Sequence, residues 1–512
     1  MLHTKYPMFL VLLWINDAAA QTSPRPILEW GPGLAARQEL MLSTSGSVPI
    51  PADVDNDGDI DFVCKGGPDI SISLTLLRND GRGGFVSEVI PPSFTPSMRA
   101  PYHAVGDIDG DGDVDIVLSG MWLLSMGADR PYVYLNDGSG YFTIDWTRFP
   151  QAPALRGFTQ LADVERDGDL DVVFGGEGLL GSLGSVELWL NDGRGYFTDV
   201  TSTHIPIGTV TSECLVTGDL DADGYPDIVI GRNADRSTAK RILWNDRTGH
   251  FTVQLLPPAD AVRQIFVVDV DLDGDNDIFI KGGYGRLFRN DHGTLTQVPF
   301  PTHNPLWAEA RAAVGDVDGD GFPDIVFSFS GPGRDPTIFL NDRRGHFVDT
   351  PGWFHGDWHA GLDWMAFADV DGDGDEDLYA AGLWAPPFYP PGRGAVLFNL
   401  WRQVWGLPVA QLGSTYRLEV CGRPGAVFAV ALAALRNATP VQLGPLGLWH
   451  LDPASSVWLG TVAMGVDGRT SLPIPIPNLP FLRGKTFYSQ ALDLDDGRRP
   501  VHATGWWPVE VQ

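Results

Sequence analysis

Asp53-Val54-Asp55-Asn56-Asp57-Gly58-Asp59-Ile60-Asp61, followed by the apolar run Phe62-Val63-Cys64, decides the reading of this chain. Carboxylates stand at positions 1, 3, 5 and 9 and glycine at position 6. The pattern occurs seven times, beginning at Asp53, Asp107, Asp163, Asp219, Asp269, Asp316 and Asp369. Successive copies start 47 to 56 residues apart. Repetition at a period near fifty residues marks a solenoid, a propeller or an array, in which each unit buries its apolar face against its neighbours.

The residue types point to calcium, which takes six to eight oxygen ligands in a forgiving geometry. A chain wrapping a cation offers side chains at alternate positions. Position 3 supplies Asp55, Asp109, Glu165, Asp221, Asp271, Asp318 and Asp371; position 5 supplies Asp57, Asp111, Asp167, Asp223, Asp273, Asp320 and Asp373. The glycine then allows a sharp reversal, because it takes positive φ without steric cost. Position 7 adds a backbone carbonyl, from Asp59, Asp113, Asp169, Tyr225, Asp275, Phe322 and Asp375. Asp61, Asp115, Asp171, Asp227, Asp277, Asp324 and Asp377 close the shell at position 9. Glu165 is one methylene longer but still a carboxylate. The reading is up to seven Ca2+, one per repeat; Asp/Gly-rich turns without metal are the simpler alternative for any single copy.

An EF-hand would need glutamate at position 12 and a following helix. Position 12 here is Cys64, Leu118, Phe174, Ile230, Ile280, Phe327 and Ala380. Strand-like text follows each loop, as in Val114-Asp-Ile-Val-Leu118. A second repeat, Leu135-Asn136-Asp137-Gly138-Ser139-Gly140-Tyr141-Phe142, comes later in the unit, with similar text from Asn79, Asn191, Asn245, Asn290 and Asn341. Asn-Asp-Gly between alternating apolar runs is a hairpin signal, since these residues tolerate left-handed φ. Each unit reads as strand, loop, strand, connection, strand, hairpin, strand. The fold predicted is all-β, a seven-bladed β-propeller over residues 46–403.

These units resemble FG-GAP (VCBS-type) repeats, the blades of the integrin α-subunit propeller and of many secreted bacterial proteins, over roughly residues 45–400. The resemblance implies a calcium loop and hairpin turn on one face, with the opposite face free for ligands. The same blades serve adhesion, glycan recognition and some lyases, so it implies fold and calcium more narrowly than function.

The net charge is −30 over 512 residues, and seven bound Ca2+ would bring it to −16. The acidity is partly ligand inventory, and it argues against nucleic acid, which needs a basic face. Residues 1–20 read as a signal peptide: Lys5, the apolar run Met8–Ile15, then Ala18-Ala19-Ala20 before a cleavage point at Gln21. That run is too short to span a membrane. The three cysteines, Cys64, Cys214 and Cys421, read as small buried hydrophobes.

Residues 21–45 form an N-terminal segment. The seventh unit lacks hairpin text after Asn399, so residues 26–38 are expected to supply its missing outer strand and close the ring. Residues 404–512 lose the period and read as a C-terminal β-sandwich. Aromatic and histidine residues gather in the connections away from the loops: Arg99, Tyr102 and His103; Trp146 and Arg148; His303, Trp307 and Arg311; His355, Trp358, His359 and Trp364. Tyr102, His103, Trp307, His355, Trp358 and His359 are the candidate ligand-face residues, with packing of the channel mouth the competing reading. Aromatic plates with a few polar groups suit a sugar ring.

No nucleophile elbow, zinc-protease helix or phosphate loop occurs. The expected function is a secreted calcium-binding propeller that binds a glycan or protein surface, with structural Ca2+. A polysaccharide lyase or sugar dehydratase, and a purely structural matrix protein, are the alternatives.

Overall fold

The computed structural model describes residues 34–40, 49–66, 72–81, 83–94, 103–119, 131–150, 155–156, 158–178, 186–206, 214–231, 240–256, 262–282, 285–301, 311–318, 321–328, 336–350, 354–355, 361–371, 375–384, 394–399, 404–406, 409–421, 427–434, 436–442, 448–464, 469–495, 499–503 and 507–512. Among them the structure is β throughout apart from the single-turn helix Thr201–His204 and the 3-10 turn Pro480–Leu482.

The first sheet runs Ile50–Ala52, Asp61–Gly66, Ile72–Asn79 and Phe85–Phe94 in chain order, every pair antiparallel. Five more four-stranded sheets repeat this meander, beginning at His103, Thr159, Cys214, Gln264 and Ala312. A further sheet has the order Phe354–His355, Leu34–Leu40, Gly394–Asn399, Asp377–Trp384, Gly361–Ala368. The strand Leu34–Leu40 thus lies beside Gly394–Asn399, where the other sheets carry their fourth strand. In every sheet the acidic loop joins the first strand to the second.

Apolar clusters lie between neighbouring sheets. Val63, Leu74 and Leu76 of the first sheet pack with Ile116, Leu118 and Tyr134 of the second. Val117 and Val133 of the second meet Phe174 and Trp189 of the third. Further clusters join the third to the fourth, the fourth to the fifth and the fifth to the sixth. A Cβ on Gly315 of the sixth sheet would lie 2.5 Å from the Phe367 ring of the seventh, so glycine there permits close approach. The first sheet meets the seventh through Phe62 against Tyr379, with ring centroids 4.7 Å apart. Seven sheets in cyclic contact make a β-propeller. Cys64 and Cys214 are buried within it and outside any disulfide among the described residues.

The chain divides into two compact units: Gln38–Val370 with Glu376–Leu397, and Met1–Arg37 with Asp371–Asp375 and Phe398–Gln512. The division after Leu397 falls six residues before the boundary expected from the loss of period. In the C-terminal part, Thr415–Cys421 pairs with Val404–Gly406 and Arg469–Pro475. A second sheet carries Val427–Ala433 between Ser456–Ala463 and Thr486–Asp495. Tyr416, Leu418 and Val420 of one sheet share a buried cluster with Phe428, Val430 and Ala491 of the other.

Candidate metal centre

Each acidic loop is built from its own side chains. The carboxylate at position 1 accepts the backbone N–H groups that follow it: Asp53 from Asp57 at 3.2 Å and Gly58 at 3.0 Å. Asp163, Asp219 and Asp269 do the same. Asp107 takes Gly110 and Gly112 instead, and Asp316 takes Gly321 at 2.8 Å. Position 6 turns the chain at φ +91° in Gly58 and +100° in Gly168, with nothing within 4 Å of the place a Cβ would occupy. The backbone, not crowding, demands glycine there. Position 4 is also left-handed, even in Arg166, Ala222 and Leu272.

Position 9 is buried and joins three elements. Asp61 Oδ2 accepts the Val54 N–H at 3.2 Å and Oδ1 accepts the Asn79 N–H at 2.7 Å. The arrangement recurs in Asp115, Asp171, Asp227, Asp277 and Asp324. The loop is thereby tied to the first residue of its own hairpin. Burial pushes these acids up, to about 7 in Asp61, Asp115, Asp171 and Asp227, about 6 in Asp277 and about 8 in Asp324; the backbone N–H groups oppose the rise. A carboxylate has about four acceptor positions, so two N–H bonds leave room for a cation.

The hairpin asparagine also ties sheet to sheet. Asn136 Nδ2 donates to the Val54 carbonyl of the first loop at 2.7 Å and to the Val114 carbonyl of its own at 3.1 Å. Asn191 reaches Ile108, Asn245 reaches Val164, Asn290 reaches Leu220 and Asn341 reaches Val270. Asn79 closes the cycle on Val370 of the seventh loop at 2.7 Å. Between the sixth and seventh sheets the Asp316 N–H bonds Glu376 Oε2 at 2.7 Å. The residues at position 2, from Val54 to Val370, are apolar and buried, so each accepting carbonyl is anchored in the core.

This framework leaves some of the loop oxygens unsatisfied. Oδ1 of Asp55, Asp109, Asp221 and Asp271, all at position 3, is buried without a hydrogen-bond partner, as is Oδ1 of Asp169 and of Asp275. One carboxylate oxygen from each member lies within 4.8 Å of the others in Asp53/Asp55/Asp57, Asp107/Asp109/Asp115, Asp219/Asp221/Asp227 and Asp269/Asp271/Asp273. Buried anionic oxygens without donors are costly unless a cation meets them. The donor set is all oxygen, which suits a hard divalent cation. Asp320 and Asp373 lie outside the described residues, so the sixth and seventh sites are described in part.

Of the candidate ligand-face residues, His103 is the one whose side chain is described. It is buried, with Nε2 3.1 Å from the Val63 carbonyl. Tyr102, Trp307, Trp358 and His359 lie outside the described residues, and His355 is described in backbone alone. Arg148 departs from its expected place. The strand Phe142–Asp145 is short, and Thr147 turns the chain back through two bonds to Asp145 Oδ1. Arg148 therefore reaches Asp145 at 2.8 Å and Asp109 at 3.8 Å, at the loop end of the sheets.

A cationic cluster that the sequence reading missed lies at the opposite end. Lys281 ends its strand fully buried, donates to the Gly282 carbonyl at 2.8 Å and stands 4.8 Å over the Phe327 ring. The Arg263 N–H bonds the Lys281 carbonyl at 2.8 Å, and Gln264 bridges to both backbone groups of Ala312. Arg311 stacks 4.1 Å over Trp364. Burial, then the positive charge of Arg263 and Arg311, lowers the Lys281 ammonium to about 8. The visible signal was one lysine ending the apolar run Asp277-Ile-Phe-Ile-Lys281.

The FG-GAP-like repeat family matches residues 53–118, 163–230, 219–280 and 316–380. Each match runs from one acidic loop to the strand after the next, and together they take in all seven loops. Among solved structures, BBS1N in its complex with ARL6DN superposes with a TM-score of 0.43 at 9% identity, over 72% of this chain and 97% of that one. An extracellular domain from B. thetaiotaomicron gives 0.42 at 9% identity, over 92% of this chain; this chain spans 59% of that one. On its repeats and their all-β architecture, this chain is an FG-GAP repeat protein.

Proposed function

We propose that this chain is a secreted, calcium-stabilised propeller of seven blades, one per sheet, that acts as a binding module for an extracellular glycan or protein surface. The observation that carries the reading is how the loop acids are used. Positions 1 and 9 already hold backbone N–H groups of the fold, and position 3 adds a buried oxygen without a hydrogen-bond partner in the same acidic cluster. These acids build the ring; Ca2+, held by positions 1, 3, 5 and 9 with the position-7 carbonyl, would complete it. Carboxylates bound to a divalent cation stay ionised and are poor proton carriers. Chemistry therefore does not belong at the loop end, and ligands belong at the other, where Arg311 and Trp364 stack. Secretion rests on the pattern of residues 1–20, and it suits numerous weak calcium sites. Among the described residues no helix is long and apolar enough to cross a membrane.

A carbohydrate lyase is the second reading, favoured by one cluster. A buried lysine between two arginines offers both a weakened ammonium and charge to neutralise an acidic sugar. The test uses calcium-loaded protein against a panel of neutral and acidic polysaccharides, reading retention and chain length. Retention without shortening supports the binding module. Shortening that disappears in Lys281→Met establishes the lyase. Neither retention nor shortening, with no capture on a panel of matrix proteins, overturns both readings.

A further inference from the structure

Between position 3 of each of the first five loops and the hairpin of the following sheet lies a slot, and its contents differ from loop to loop. In the first loop it holds Arg78, whose guanidinium pairs with Asp55 and donates to the Ser139 carbonyl at 3.3 Å. A Cβ on Gly140, in that hairpin, would come within 2.6 Å of Arg78 Nη2. In the second loop Arg148 lies 3.8 Å from Asp109, donates to the Arg194 carbonyl and faces Gly195. In the fifth, Arg289 pairs with Asp271 and faces Gly345.

These arginines reach the same place by two routes. Arg78 and Arg289 immediately precede the hairpin asparagine, where other sheets have Leu135, Leu190, Trp244 and Leu340. Arg148 instead returns from beyond its sheet's fourth strand. The remaining two described slots hold no arginine. Trp244 fills the fourth, 3.6 Å from a Cβ on Gly293, with its indole N–H on Gln254 at 2.8 Å. His204 fills the third, stacked 3.9 Å from His250 and facing Gly249. Two arginines touch the fourth loop outside its slot: Arg247 pairs with Asp223 from solvent with 65% of its side chain exposed, where such pairs are weak, and Arg166 lies against Gly224 and 5.3 Å over the Tyr225 ring, away from Asp221 at position 3.

The slot arginines are mostly covered: 24% of the Arg78 side chain, 11% of Arg148 and 32% of Arg289 is exposed. A positive charge held there relieves the repulsion among the loop carboxylates. The same charge opposes a divalent ion arriving at the same oxygens.

We propose that Arg78, Arg148 and Arg289 are tethered cations that keep the first, second and fifth loops closed without metal and weaken calcium there, leaving the third and fourth loops as the calcium-dependent ones. The inference rests on the calcium reading above. It divides the five described loops of one sequence pattern into two functional classes, by residues outside the pattern.

The test is calorimetric titration of the chelator-stripped full chain with Ca2+, with thermal melts in chelator alongside. Arg78→Met is expected to tighten one weak site about tenfold while lowering the melting temperature in chelator. Arg289→Met should do the same at the fifth loop. Trp244→Arg is the converse: one tight site weakens about tenfold and the chelator melt rises. A merely structural arginine would move the melt and leave affinity unchanged; an arginine that orients the ligand carboxylate would lower affinity when removed. Either result overturns the proposal while leaving the calcium reading intact. A parent chain that takes up no Ca2+ overturns both. If Arg78→Met does not fold, Trp244→Arg still decides.

Discussion

Asn136 shows what a single hairpin residue does here. Its side chain satisfies two buried carbonyls, one in each of two sheets, while its own carbonyl oxygen accepts the Gly140 N–H at 3.1 Å. Asn136→Ala leaves the Val54 carbonyl buried without its donor. The expected cost is about 1–3 kcal/mol of stability, read from the urea midpoint at unchanged slope; a midpoint within error of the parent would show that the relay carries no load. The role was invisible in sequence because Val54 lies 82 residues away. The sequence supports the asparagine as a turn former and nothing more. The carboxylate spacing, by contrast, was legible, since the acids of one loop are neighbours in the chain. The position-9 acids add a pH dependence. Burial raises Asp61, Asp115, Asp171 and Asp227 from 3.8 to about 7 in the folded, metal-free chain. The folded state then holds protons that the unfolded chain has released, so stability falls as pH rises through the folded value. Metal-free protein is expected to melt higher near pH ~5.5 than near pH ~8.5. With calcium bound the ionised form is the ligand, and the order should reverse. A chelated protein that melts lower at the acid end would contradict the assignment of these acids as buried and protonated.

At the level of strands, the meander of loop, strand, hairpin and strand was readable because each unit repeats it. The seventh sheet was readable as a gap: no Gly-x-Phe follows Asn399. What fills the gap is Leu34–Leu40, a little later in the chain than the segment 26–38 expected to do so. Its residues Gln38–Leu40 belong to the same compact unit as the repeats. Without this strand, Gly394–Asn399 would present an unpaired edge, a template for association. Deleting residues 21–40 should lower the melting temperature by several degrees and promote self-association, seen by light scattering. An unchanged melt would mean that the strand only decorates the edge. The fourth strand of the second sheet was harder to read. Nothing in Asp145-Trp-Thr-Arg148 announces that the chain reverses after four residues, because the turn is made by Asp145 accepting two bonds from Thr147. That reversal carries Arg148 from the expected ligand face to the acidic loops.

For the molecule as a whole, the cyclic order of sheets and the net charge are two sides of one problem. From the first sheet to the sixth, each is held to the next by an apolar cluster and by a bond from one hairpin into the neighbouring loop, so a loop that opens weakens two sheets at once. Every loop concentrates carboxylates, and the chain carries −30. A ring in which each member supports two neighbours unfolds cooperatively, and local repulsion is transmitted around it. Ligand binding to the folded state adds about 2.7 kcal/mol per site at a hundred times the dissociation constant. Even the two described loops without a slot arginine would therefore contribute about 5 kcal/mol when filled, comparable with the whole stability of many domains. Chelation should lower the melting temperature by more than about ten degrees and broaden the transition. Readdition of Ca2+, but not of an equal ionic strength of sodium, should restore it. Sodium screens the surface charges over about a Debye length but cannot satisfy the buried oxygens of Asp55, Asp109, Asp221 and Asp271. Equal recovery in sodium would assign the loops to general charge repulsion, and the seven acidic motifs would then be turns and not metal sites.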